Sequence, residues 1–232
     1  MLKILLLMLL TISTAYAGEK QVLERLKKNY PHLGQVDQVN KSPIPGLYEV
    51  VTPDHLFYTD EKTNYLIDGN IYDLHTMHNL TEERARKLYA VDFNSLPFDL
   101  ALKEVKGNGQ RKMVVFTDPN CGFCKKLEHE LQSVNNVTVY RLLFPIFEGS
   151  EEKVRNVWCS ADRNKTWEDL MLRGIAPPAV AKCDAPIAQV MAWGRKLKVN
   201  GTPALIFSDG ILVPGALPAE DLEKALNGES VR

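Results

Sequence analysis

Hydrophobic positions change their period along the chain, and the changes mark out its segments. An apolar run from Ile4 to Ile12 follows Met1-Leu-Lys3 and ends at Ala15-Tyr16-Ala17. The basic start, short apolar core and A-x-A end predict a secretory signal over 1–17, cleaved after Ala17. Thr11, Ser13 and Thr14 interrupt the run before the roughly 20 apolar residues that a membrane anchor needs. From Glu19 to Tyr30, Val22, Leu23 and Leu26 share one side against charges, which predicts an amphipathic helix stopped by Pro31. Between Gln35 and His75 the runs shorten to Val36 and Val39, 47–51, 56–58, 65–67 and 71–74. Pro43-Ile-Pro-Gly46, Asp60-Glu-Lys62 and Asp68-Gly-Asn70 separate them, so this stretch reads as a meandering antiparallel sheet. It is too small to bury both faces of a sheet, and its open edge invites a partner strand.

Thr81 to Val91 is a charged helix with few apolar positions, either an ordinary surface helix or a spacer between two bodies. A new unit begins at Leu96-Pro97. Strands are expected at 100–105, 112–117 and 137–144, the first two joined by a turn at Gly107-Asn-Gly109 and the third ended by Pro145. Helices follow: one capped by Ser150 and running through Cys159, one with a capping box at Thr166-x-x-Asp169 and a stop at Gly174, and one over 184–198. A strand at 202–207 turns through Ser208-Asp-Gly210 into 211–213, and 218–226 closes the chain as a helix. This order of elements predicts an α/β layer fold.

The chemistry concentrates in Lys112 to Leu131. A strand too short and too β-branched for a helix is broken by Pro119-Asn120, with Asn120 as the expected N-cap. Leu127, Leu131 and Val134 then recur at helical spacing. Cys121 and Cys124 therefore fall in the first helical turn, where the macrodipole and unpaired N–H groups favour a thiolate. A C-x-x-C pair in such a pattern is the thioredoxin-like redox signature. Cys121, first in the helix and the more exposed, is the expected attacking thiol, with the dipole and Lys125 supporting its charge. Cys124 is the expected resolving thiol. His129 lies two turns down the helix and reads as a solvated surface residue.

Composition adjusts this picture only slightly. The 232 residues carry 28 basic and 29 acidic side chains, and a net charge of −1 projects no strong field toward nucleic acid. An apolar content of 45% says folded and globular. Export leaves the reducing cytosol behind, so the four cysteines are expected to be oxidised or redox-active. Four cysteines allow three connectivities. Taking Cys121 with Cys124 leaves Cys159 with Cys183, a structural bridge worth roughly 3 kcal/mol on the chain-entropy model. Cys159 and Cys183 are too far apart in sequence to be the second close pair of a zinc site, so no metal is expected.

The chain resembles the DsbC/DsbG family of periplasmic thiol–disulfide isomerases. The matching pieces are Phe116-Thr-Asp118 leading into Cys121-Gly-Phe-Cys124, Gly201-Thr-Pro-Ala204 before a strand, and a second cysteine pair within a helical insertion. Pro45-Gly-Leu-Tyr-Glu-Val50 and Ile71-Tyr-Asp73 match near the N-terminus. Gly122 after the first cysteine places the chain on the DsbC side, since DsbG-like members are expected to carry proline there. Two departures stand out. Phe123 replaces the commoner tyrosine, and Val115 occupies the position where thioredoxin keeps a buried carboxylate, so Cys124 lacks that proton acceptor; Asp118 is nearer but belongs to the turn.

The resemblance implies an α+β N-terminal dimerisation domain with a small antiparallel sheet at 18–79, a linker helix at 80–95, and a C-terminal thioredoxin-like α/β domain with a helical insertion at 96–232. It implies a V-shaped homodimer in the periplasm, acting without a cofactor on misoxidised exported proteins and kept reduced by a membrane thiol reductase of the DsbD type. It also implies a cis bond between Thr202 and Pro203, with the Thr202 backbone facing Cys121 and binding an extended substrate as an added strand. The expected function is disulfide rearrangement through a mixed disulfide. Two rival readings use the same residues or cleft: a DsbG-type reductase of sulfenylated single cysteines, and a chaperone that binds unfolded chains in the dimer cleft.

Overall fold

The computed structural model describes residues 13–53, 55–180 and 183–229. Most of the expected signal segment and its fate lie outside these residues. The chain divides into two compact units after Tyr89.

In the first unit, helix α1 (Ser13–Asn29) precedes strands β1 (Gln38–Lys41), β2 (Leu47–Val51), β3 (Leu56–Asp60) and β4 (Leu66–Ile67). These form one antiparallel meander in sequence order. A separate two-stranded ribbon joins β5 (Tyr72–Asp73) to β6 (His78–Asn79), and helix α2 (Leu80–Tyr89) follows directly. Val22 and Leu26 of α1 pack on Val39, Tyr48, Val50 and Phe57, which share one sheet face because side chains alternate along a strand.

The opposite face is not bare, contrary to the expectation from size. Glu49 and Tyr58 lie paired across β2 and β3. Arg84 of α2 donates through Nε to both Glu49 carboxylate oxygens at 3.0 Å, and Tyr58 shares a 2.7 Å hydrogen bond with Thr81. A helix rich in charge thus covers a sheet face through polar contacts, which an apolar-periodicity reading cannot register. The β4 edge remains open, with Tyr65, Leu66 and Ile67 exposed, and Leu74 and Met77 of the ribbon are exposed as well.

In the second unit, β7 (Leu102–Lys106) and β8 (Arg111–Thr117) lead into α3 (Gly122–Leu131) and β9 (Val137–Leu143). Helices α4 (Ser150–Trp158), α5 (Arg163–Arg173) and α6 (Ile187–Lys196) form the insertion. Strands β10 (Ala204–Phe207) and β11 (Leu212–Pro214) and helix α7 (Ala219–Leu226) complete the chain. The sheet order is β11-β10-β8-β9-β7, with β8 and β9 parallel and the other pairs antiparallel.

The central strand β8 explains why its sequence is continuously apolar. Met113 and Val115 face Leu127 and Leu131 of α3 and Leu222 of α7, while Val114 and Phe116 face Phe144 and Val190 of α6. Both sheet faces are covered by helices, so no position between 113 and 116 can be polar at low cost. Gly194 of α6 lies against the Phe144 ring so closely that an added Cβ would stand 2.2 Å from it. The insertion makes a third cluster in which Val154, Val157, Trp167, Leu170 and Met171 pack around Cys121 and Cys124. Cys159 and Cys183 are joined as a disulfide with Cα atoms 5.9 Å apart.

Three expected caps are corrected by the structure. The N-cap of α4 is Gly149, because the hydroxyl of the fully buried Ser150 is used by a distant carboxylate. The N-cap of α5 is Asp162, whose side chain accepts from the Lys165 N–H, and Thr166 instead donates to the Asp162 carbonyl. Gly174 does end α5, at φ +69. The third correction lies at the cysteines.

Candidate active site

The N-cap of α3 is Cys121 itself, not Asn120. Cys121 is extended (φ −79, ψ 119) and its Sγ accepts from the Cys124 N–H at 3.4 Å. Asn120 is engaged elsewhere: its Nδ2 donates to the Glu148 carbonyl at 2.9 Å, and its Oδ1 accepts from Lys153 Nζ at 2.6 Å. Its capping chemistry serves the loop before α4 instead of the helix.

This arrangement puts the first thiol where an orphan helical N–H points at the sulfur, a contact that stabilises negative charge on it. The Cys121 thiol also donates to the Thr202 carbonyl at 3.2 Å. The Thr202–Pro203 peptide is cis, and the strand β10 begins at the next residue. Thr202 and Pro203 are therefore brought directly against Cys121. Lys125 reaches Cys121 through its backbone N–H, which donates to the Cys121 carbonyl at 3.1 Å. His129 is exposed on α3. Cys121 is deeper than expected, at 4% exposure, packed in the insertion's apolar cluster with the Thr202 carbonyl against its sulfur; Cys124 is fully enclosed.

Cys124 sits in an environment that opposes its anion. Burial pushes its thiol up to about 12, against a hydrogen bond from the Asp118 N–H to Sγ at 3.5 Å that favours charge. Val115 lies on β8 within the apolar core, so no carboxylate stands at that position to take the proton.

The site depends on a residue whose role is hidden in the sequence. Asp118 is completely buried and its carboxylate accepts four hydrogen bonds. Oδ1 takes the Asn120 N–H at 2.7 Å and the Ser150 hydroxyl at 2.6 Å; Oδ2 takes the N–H groups of Ile146 at 2.7 Å and Phe147 at 3.0 Å. Asp118 thereby ties the cysteine turn to the loop between β9 and α4, where Ile146 and Phe147 are exposed. The legible signal was an aspartate between an apolar strand and Pro119, the composition of an Asx-turn.

A second polar cluster fixes the back of the cysteine helix. Arg141 of β9 donates to both Glu128 oxygens at 2.7 and 2.8 Å and to Glu104 at 2.8 Å, and the Trp167 indole N–H donates to Glu128 at 2.9 Å. Burial, the largest single influence, opposes the guanidinium charge, but the Glu128 and Glu104 carboxylates together outweigh it and hold Arg141 more firmly protonated.

A thiol pair at the start of a helix, the second thiol fully buried and a proline loop against the first, defines a thioredoxin-fold thiol–disulfide exchange protein. Comparisons with known proteins narrow the class. Residues 98–228 match the family model of a thioredoxin-like domain, and residues 13–82 match that of the disulfide bond isomerase protein N-terminal domain. The probable thiol:disulfide interchange protein DsbC of Bordetella parapertussis is 48% identical over 82% of this chain and 68% of its own. The thiol:disulfide interchange protein DsbC of Salmonella typhimurium is 31% identical over 92% of this chain and 89% of its own. A crystal structure of a disulfide interchange protein from Neisseria gonorrhoeae is similar at a TM-score of 0.56 and 38% identity, covering 59% of this chain and all of that one. The chain belongs to the DsbC family of thiol:disulfide interchange proteins.

Proposed function

We propose that this protein rearranges incorrect disulfides in exported proteins, with Cys121 attacking and Cys124 held in reserve. The observation that carries the reading is the contrast between the two sulfurs: Cys121 receives a helical N–H, while burial pushes Cys124 up to about 12. Cys121 thiolate attacks a substrate disulfide, forming a mixed disulfide and releasing one substrate sulfur as a thiolate. A substrate thiolate then attacks the same bond, a new substrate disulfide forms, and Cys121 leaves unchanged. No net oxidation occurs on that route. Cys124 completes reduction only when rearrangement fails, and its reluctance to ionise lengthens the life of the mixed disulfide.

The Thr202 backbone beside Cys121 supports an extended substrate chain pairing there as a strand. The Cys159–Cys183 bridge serves structure, tying the end of α4 to the segment before α6. The exposed apolar β4 edge and β5–β6 ribbon support a homodimer formed through the first unit. The protein acts in the periplasm after cleavage behind Ala17, divided into 18–79, a linking helix within 80–95, and 96–232. A membrane thiol reductase of the DsbD type supplies its electrons, because a reduced Cys121 must be regenerated against an oxidising compartment.

Cys124→Ser removes the resolving thiol, so mixed disulfides with exported proteins should accumulate as high-mass species on non-reducing gels and vanish with reductant. Equal banding of Cys124→Ser and a Cys121→Ser/Cys124→Ser control would defeat the reading.

A further inference from the structure

Among the described residues two buried side-chain oxygens lack a hydrogen-bond partner, and one of them ends the strand that leads to the cysteines. Thr117, the last residue of β8, is 1% exposed, and its hydroxyl has no hydrogen-bond partner among the described residues. An unpaired buried hydroxyl is a net cost that valine, of the same shape, would avoid. Thr117 is one peptide bond before the Asp118 N–H that donates to Cys124 Sγ at 3.5 Å. Its hydroxyl makes no hydrogen bond to that sulfur at rest, yet is near enough to favour a negative charge on it. The Thr202 hydroxyl is also unpaired and also favours charge on this sulfur, but Thr202 belongs to the loop against Cys121. Thr117, at the end of β8, is closed off from solvent and so from any substrate chain.

We propose that the Thr117 hydroxyl is the donor that stabilises charge on Cys124 Sγ during the buried exchange step, in the place of the carboxylate missing at Val115. In that step the Cys124 thiol gives up its proton and its sulfur attacks Cys121 Sγ. The bond between Cys121 and the substrate sulfur breaks, and the substrate sulfur leaves as a thiolate that takes up a proton. The substrate disulfide is reduced by two electrons and the Cys121–Cys124 pair is oxidised. In the reverse direction Cys124 is the leaving thiolate and meets the same donor. A hydroxyl can donate a hydrogen bond without removing the proton, so resolution is assisted while Cys124 stays a thiol at rest. The inference rests on the reading of Cys121 and Cys124 as an exchange pair.

Reaction of the reduced protein with 5,5′-dithiobis(2-nitrobenzoate) separates the two steps. Attack by Cys121 releases the first nitrothiolate, and displacement by Cys124 releases the second. Thr117→Val should slow the second release about tenfold, the loss expected for a hydrogen bond to a developing charge, and leave the first unchanged. Thr117→Ser, which restores the donor, should stay within about twofold of wild type. Thr117→Ala removes the hydroxyl by a second route and should also slow only the second release. A second release at the wild-type rate in both Val and Ala variants would overturn the inference, as would equal slowing of both releases or a Ser variant as slow as Val. Absence of any second release from the wild-type protein would overturn the exchange reading itself, and this inference with it.

Discussion

Asp118→Asn tests how the cysteine turn is held in place. The carboxylate accepts two donors on each oxygen, and an amide can accept on one side only. If the new NH2 group faced Ile146 and Phe147, three N–H groups would point at one another and two bonds would be lost. Facing Asn120 and Ser150 is better, because the Ser150 hydroxyl can turn and accept, leaving one N–H stranded. A hydrogen bond to a charged group contributes roughly 1.5–3 kcal/mol, and Asn120 is only half-buried, so a loss of about 2 kcal/mol is expected. Asp118→Ala strands three N–H groups and the buried Ser150 hydroxyl, and should cost about 4 kcal/mol after the loop relaxes toward water. All three tryptophans, Trp158, Trp167 and Trp193, belong to the second unit, so urea unfolding followed by their fluorescence reads that unit alone. At a typical slope, the Asn variant should lower the midpoint by about 1 M and the Ala variant by about twice that, with the slope unchanged. An Asn midpoint within about 0.3 M of wild type, or equal losses for Asn and Ala, would refute this account of the turn.

Arg141→Met leaves Glu128 and Glu104 without their shared cation and should cost about 3–5 kcal/mol in the same assay; adding Glu128→Gln should recover part of it, and strict additivity would contradict the buried pairing. Cys124 gives the reduced protein a pH dependence. Burial raises its thiol from an ordinary 9.0 to about 12, so the native state keeps a proton that the unfolded chain has released. This contribution to stability is complete below about pH 9 and is lost as pH rises toward 12. The stability gap between reduced wild type and reduced Cys124→Ala should therefore fall steadily between pH 9 and 11, and a constant gap would contradict the burial argument.

The parts that could be read from sequence are those governed by local pattern. The run from Met113 to Phe116 announced a strand, and Leu127 and Leu131 announced the face of α3 that meets it; Val134, read as the next turn of that helix, falls just past its end, and all three are buried. Caps were less legible because capping side chains have competitors. Asn120 and Ser150 have good capping chemistry, but Glu148, Lys153 and Asp118 claim them across the fold. The same blindness hid the second face of the front sheet, where Glu49 and Tyr58 are covered through polar partners on α2. Arg141 did leave a trace, as a lone cation within an otherwise apolar strand. Its partner Glu128 lies 13 positions away, and Trp167, which donates to that same carboxylate, lies 39 positions from Glu128, in pairings that no periodicity encodes. Thr117 shows the limit most plainly, since a threonine ending a strand is unremarkable until its hydroxyl is found buried beside a thiol.

The central claim is that Cys121, working with Cys124 in reserve, rearranges disulfides without net reduction. Reactivation of a scrambled, fully oxidised substrate protein by catalytic amounts of the reduced protein measures this directly, with free thiols counted alongside activity. The account predicts many turnovers of reactivation with few new substrate thiols, substantial activity retained by Cys124→Ser in the presence of a small thiol, and none by Cys121→Ser. Reactivation by Cys121→Ser, or wild-type activity that stops after one equivalent of substrate thiols has appeared, would contradict it.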